Sequence, residues 1–186
     1  MDRISGPAGE LVYLRPMGEA DADSIVIWRN KEWVRRNFLY QEPFTLEGQL
    51  NWLHTQVEPG HVAQFMICEK DSERAVGSVY FRDIDREKSC AEYGIFIGEE
   101  DAVGKGYGTE AAGLALAFAF EELGLESIFL RVFEDNVRAR KSYEKAGFLP
   151  MKDRQERVMT KDGSRTVVFY EKKRGAPPET ADGEHI

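Results

Sequence analysis

The chain has 186 residues, a formal net charge of −8 at neutral pH and only two cysteines. The length suits one domain with a sizeable core, and an acidic chain is a poor binder of nucleic acid, whose phosphates call for clustered Lys and Arg. No apolar run approaches membrane-spanning length, and Cys68 and Cys90 lie in strand-like apolar segments that favour reduced, buried thiols over a disulfide or a zinc ligand. The expectation is therefore a cytoplasmic protein with no metal and no membrane or nucleic-acid partner. It should form a single domain over residues 1–174.

In chain order, Leu11 to Arg15 reads as a first strand. Asp21 to about Leu39 follows, where Ile25, Trp28, Trp33, Val34 and Phe38 are only roughly helical in spacing and imply two short helices. After Pro43, Thr45 is suited to N-cap a helix whose Leu46, Leu50, Leu53 and Val57 share one face. His61 to Glu69, Ala75 to Asp83 and Ser89 to Ile97 read as strands of an antiparallel meander joined by polar turns. A long apolar helix, Glu110 to Glu122, precedes a short strand at Ser127 to Val132 and a helix at Val137 to Ala146 closed by Gly147. Phe148 to Met159 and Arg165 to Glu171 form a final hairpin turned by Asp162-Gly163. From Gly175 to Ile186 the chain holds almost nothing to bury, which predicts a disordered tail.

Chemistry concentrates at Val103-Gly104-Lys105-Gly106-Tyr107-Gly108-Thr109, where alternating glycines lead into the long helix. Glycines let backbone approach a ligand closely, and a helix N-terminus offers unpaired N–H donors and a favourable dipole to a phosphate. A plain turn would also use such residues. The segment is not a P-loop, because Lys105 is followed by Gly106 rather than Ser or Thr. It is not a dinucleotide fingerprint either, since the third glycine comes one residue early and the turn follows an antiparallel meander.

The order strand, x-x-x-Gly-x-Gly, helix, strand, Asn136, and a helix ending Ser142-Tyr143-Glu144-Lys145-Ala146-Gly147-Phe148 resembles the GNAT superfamily of acetyl-CoA-dependent N-acetyltransferases. The resemblance covers about Leu11 to Lys172 and is sharpest over Tyr93 to Ala119 and Leu130 to Leu149. Trp28-Arg29-Asn30 followed by Val34-Arg35 is similar to the RimJ/RimL-like branch, which includes ribosomal-protein N-terminal, spermidine and amino-sugar acetyltransferases. It implies an α/β fold with a mixed, mostly antiparallel twisted sheet flanked by helices. Acetyl-CoA would be the co-substrate, and the acceptor a small amine, amino sugar, polyamine or protein N-terminus. The branch also implies a possible homodimer. A non-catalytic acyl-CoA sensor or interaction module on the same fold is the alternative. One departure is Val103, where the family pattern usually starts with Arg or Gln, and it should loosen the turn without abolishing a grip made by backbone amides.

The resemblance assigns the phosphate grip to the turn from Val103 to Thr109, with Lys105 adding charge. Backbone groups of Ile95, Phe96 and Ile97, on a strand that splays from its neighbour, would hold the pantetheine arm and polarise the thioester. Tyr143 matches the family's general acid, and a phenol stays protonated at neutral pH and can donate to a departing thiolate. Its other reading is a helix tyrosine packed on the sheet. Glu92 is the candidate base; strand alternation places it on one face with Gly94 and Phe96, pointing either into the acceptor cleft or to solvent at an edge. Asn136 would cap the following helix and touch the pantetheine or its strand. Trp28, Arg29 and Asn30 would stand at the acceptor entrance. His54 and His61 lack partners at ligand or triad spacing.

Overall fold

The computed structural model describes residues 6–175, so the predicted tail beyond Gly175 lies outside the described residues. The elements run β1 (Val12–Pro16), α1 (Ala22–Asn30), α2 (Glu32–Arg35), α3 (Leu46–Trp52), β2 (Ala63–Glu69), β3 (Ala75–Asp85) and β4 (Cys90–Ile97). They continue through α4 (Tyr107–Glu121), β5 (Ser127–Phe133), α5 (Val137–Lys145), β6 (Leu149–Thr160) and β7 (Gly163–Lys173). The strands form one mixed sheet in the order β1-β2-β3-β4-β5-β7-β6, antiparallel everywhere except between β4 and β5. The antiparallel meander and the closing hairpin follow the sequence expectation.

Alternation along the central strands sends side chains to two cores. Phe65, Ile67, Val79, Tyr93 and Ile128 join α4 and α5 on one face, while Met66, Cys68 and Phe96 join α1 and α2 on the other. Ala111, Ala112, Ala115 and Ala119 are buried on α4, and these small residues let the helix lie close to the sheet, with Phe118 edge-on to Phe65 at 4.9 Å. Two predicted details change. Leu46 is exposed, because the first turn of α3 leaves its predicted face toward solvent and burial begins farther on, at Gln49 and Leu53. The long helix starts at Tyr107, three residues before Glu110, because Gly106 in the left-handed region (φ +85°) caps it and draws Gly108 into its first turn.

Candidate active site

The site begins where β4 and β5 part. Their parallel pairing runs only from Cys90–Ser127 to Glu92–Phe129. Beyond it β4 stays paired to β3 as far as Ile97, and β5 to β7 as far as Phe133. The β5-facing edge of β4 is therefore left open, and its backbone N–H and C=O groups turn to a cleft of about 1450 Å³ instead of a strand. Ile95, Phe96 and Ile97 line that cleft. Gly94 stands opposite Tyr80, and a Cβ there would run into the Tyr80 ring, so glycine lets the phenol lie across β4.

At one end of the cleft stands the glycine turn, with Val103, Gly104, Gly106, Gly108 and Thr109 as lining residues. Gly104 and Gly106 have φ of +81° and +85°, which only glycine adopts without strain. The first intrahelical bond of α4 runs from Glu110 N–H to Gly106 O (3.0 Å), so the preceding amides are free to face an anion. Lys105 and Tyr107 do not line the cleft; their side chains meet each other, with Nζ 5.9 Å from the ring centroid. Arg138, Lys141 and Lys145 of α5 do line it and add positive charge. Glu110 is withdrawn from this anion-favouring end, its carboxylate accepting from the N–H groups of Glu10, Leu11 and Val12 at 2.9, 2.8 and 2.7 Å. Burial pushes its pKa upward, but the three donors together hold it below the ordinary carboxylate range. An elongated anionic thioester donor fits this combination of open strand edge, amide-lined turn and flanking cations.

Tyr143 reaches the cleft from α5, its ring edge-on to Tyr93 (6.3 Å) and Phe148 (6.0 Å). Burial, then the neighbouring Tyr80, raises its pKa well above the ordinary phenol value, so it keeps its proton throughout the neutral range. The Tyr93 hydroxyl lies in the same group, buried and without a partner among the described residues. Asn136 caps α5 as expected, Oδ1 accepting from Ala139 N–H at 3.2 Å, and its Nδ2 donates to Asn37 Oδ1 at 3.2 Å. It thus ties the start of α5 to the segment after α2, across the cleft wall.

On the other face of β4, Glu92 is only 6% exposed and points into the cleft rather than to an edge. Its Oε2 accepts from Arg82 Nε (3.1 Å), Arg82 Nη2 (3.0 Å) and Arg131 Nη2 (3.1 Å), and its Oε1 from Arg131 Nε (2.9 Å). Both oxygens are engaged by the two arginines, an arrangement suited to a counter-ion, and taking a proton in the expected role of general base would break this clamp. Neither arginine was singled out in the sequence. The signal was there for Arg82, which shares a face with Tyr80 by alternation and pairs with Glu92 in register; Arg131 needed the β4–β5 pairing.

The Trp28-Arg29-Asn30 trio divides. Trp28 is 2% exposed in the core against Phe96, with Nε1 donating to Glu99 Oε1 at 2.7 Å, which corrects its placement at the acceptor entrance. Asn30 makes a reciprocal pair with the backbone of Phe44, 2.8 Å in both directions, and pins that loop rather than lining the cleft. Arg29 does line the cleft, its guanidinium boxed by Phe38, Phe44 and Phe96 with ring centroids 3.3, 4.5 and 5.8 Å from Cζ. Among the described residues no group of three or more His, Cys, Asp or Glu suits a metal ion, and no helix is long and apolar enough to cross a membrane.

A glycine turn at a helix N-terminus, beside an open strand edge and a protonated phenol, defines an acyl-transferase type of site. The chain belongs to the GNAT acetyltransferase family: the Acetyltransferase (GNAT) domain matches residues 12–149. It is 31% identical over 142 residues to the spermidine N(1)-acetyltransferase of Escherichia coli (strain K12), covering 76% of this chain and 75% of that one. It is 29% identical over 151 residues to the probable N-acetyltransferase YjcK of Bacillus subtilis (strain 168), covering 75% and 81%. The fold superposes on spermidine N-acetyltransferase from Vibrio cholerae in complex with CoA and spermine with a TM-score of 0.79 at 19% identity, covering 89% and 96%. The chain is therefore an N-acetyltransferase with a GNAT fold.

Proposed function

We propose that the enzyme transfers acetyl from acetyl-CoA directly to a small primary amine, without a covalent enzyme intermediate. The observation that carries this reading is that the open edge of β4, the glycine turn and Tyr143 face one cleft. Relatives named for spermidine acetylation, and a structural neighbour holding CoA and spermine, support the donor and the small-amine acceptor. When bound, acetyl-CoA supplies a thioester whose carbonyl carbon takes the amine nitrogen as its C–S bond breaks. Backbone groups of Ile95 to Ile97 hold the acyl arm and stabilise charge on the carbonyl oxygen. Tyr143 gives its hydroxyl proton to the departing sulfur and regains one from water. The amine's proton leaves to water in the cleft, since Glu92 serves instead as counter-ion to Arg82 and Arg131. Neither cysteine lines the cleft, which supports direct transfer.

The RimJ/RimL-like kinship and self-association belong to the same proposal. A dodecameric spermidine N-acetyltransferase from Vibrio cholerae superposes with a TM-score of 0.73, which supports testing assembly by sedimentation. For the chemistry, calorimetry with acetyl-CoA should show binding, and CoA-thiol release against an amine panel should identify the class turned over. Binding with no release on any amine would favour the sensor reading; no binding would remove the donor site.

A further inference from the structure

The cleft is cationic although the chain is acidic. Its lining includes seven Lys and Arg side chains and one carboxylate, Glu92. Three of those cations, Arg138, Lys141 and Lys145, stand on α5. The others, Arg29, Arg36, Arg82 and Arg131, lie on the acceptor side. Arg82 and Arg131 share Glu92, with the exposed Asp83 3.7 Å from Arg82 Nε.

Arg29 has no such partner. It is 6% exposed, and no carboxylate among the described residues pairs with it. Nη2 reaches only Tyr40 O at 3.4 Å, and Nε is buried with no hydrogen-bond partner. Burial lowers its pKa to about 10, yet at neutral pH it remains a cation. The aromatic faces of Phe38 and Phe44 offset part of that cost. They also exclude a competing ligand, since the rings that could cradle a substrate ammonium already hold the protein's own guanidinium.

We propose that the acceptor is a primary amine whose molecule also carries a carboxylate or phosphate, and that Arg29 binds this anionic group. The proposal rests on the reading of the cleft as an amine acetyltransferase site and names its substrate class. A polyamine would bring several positive charges to a wall whose one carboxylate is already engaged by two guanidiniums. An anionic amine would instead supply the missing partner of a desolvated guanidinium, as a charge-assisted hydrogen bond.

The test compares CoA-thiol release by the full-length enzyme on L-glutamate, glucosamine 6-phosphate, a nucleoside-diphosphate amino sugar, glucosamine and spermidine, after acetyl-CoA binding has been established by calorimetry. At least one anion-bearing amine should exceed spermidine by about tenfold or more in kcat/KM, and the carboxylate and phosphate arms identify which anion is used. Arg29→Gln should raise KM for that substrate by about tenfold with kcat nearly unchanged, and Arg29→Lys should restore part of the loss. Spermidine as the preferred acceptor overturns the proposal and leaves acetyl transfer intact. So does acetyl-CoA binding with no anionic amine turned over. The comparison on the unmodified enzyme decides even where Arg29→Gln does not fold. Failure to bind acetyl-CoA would instead defeat the acetyltransferase reading itself.

Discussion

The two ends of the cleft are built by different means. The glycine turn offers main-chain donors and two left-handed glycines within a run of seven residues, Val103 to Thr109. The other end is lined by side chains on α1, β3, β4 and β5, with Arg29, Arg82, Glu92 and Arg131 spread over about a hundred residues. Backbone recognition tolerates side-chain change and needs a fixed local conformation. A side-chain constellation is specific in charge and shape, and it fails when one register or one counter-ion is lost.

Removing the phenol at the junction of the two ends has the largest expected effect. Tyr143→Phe should lower kcat by about a hundredfold, with acetyl-CoA affinity nearly unchanged. A steady-state analysis with calorimetry of donor binding checks it, and an unaltered kcat would take Tyr143 out of the chemistry. Because its pKa lies above the ordinary phenol value, kcat should not fall between pH 7 and about 9.5 through loss of this proton. An alkaline decline in that window that vanishes in Tyr143→Phe would contradict the burial argument.

The acceptor end should then prove the more fragile in stability. Glu92→Gln leaves two guanidiniums sharing a neutral amide, and because both arginines are partly exposed the cost should be about 2 kcal/mol, measured by urea unfolding. The acidic limb of its pH–rate profile should survive, as expected of a counter-ion. Disappearance of that limb would restore Glu92 as proton acceptor.

The glycine end should respond through conformation alone. A Cβ at Gly104 would meet nothing within 4 Å, so Gly104→Ala tests its left-handed φ of +81° without a steric clash. The strain is about 1 kcal/mol, which should weaken acetyl-CoA binding roughly fivefold in calorimetry. An unchanged affinity would mean that the turn does not grip the donor.

The smallest effect concerns Glu110, which braces the glycine end by holding the backbone of residues 10–12. Its native pKa is depressed, so its contribution is complete above the ordinary carboxylate value and is lost as pH falls through the lowered native value. Acid unfolding followed by circular dichroism should show this increment, and Glu110→Gln should reduce it. Equal acid sensitivity in the two proteins would remove Glu110 as the brace.

Much of this was legible before any tertiary contact. Strand alternation, caps and turns are local properties, so the meander, the hairpin at Asp162-Gly163 and the Asn136 cap could be read directly. The turn and Tyr143 were legible because each belongs to a short contiguous motif. Trp28 was misplaced for a corresponding reason: helix position alone does not say that its ring packs against Phe96 and covers Gly98, where a Cβ would collide with it.

By itself the sequence determined the element order, the glycine turn at the start of α4 and the family, because these depend on neighbouring residues and on backbone conformations that particular side chains permit. Only the tertiary structure set Glu92 between two guanidiniums and left Arg29 Nε buried without a partner among the described residues. Whether a charge acts as a base, a counter-ion or an unsatisfied cation depends on which distant groups the sheet brings within hydrogen-bonding distance, and on how much water is excluded there.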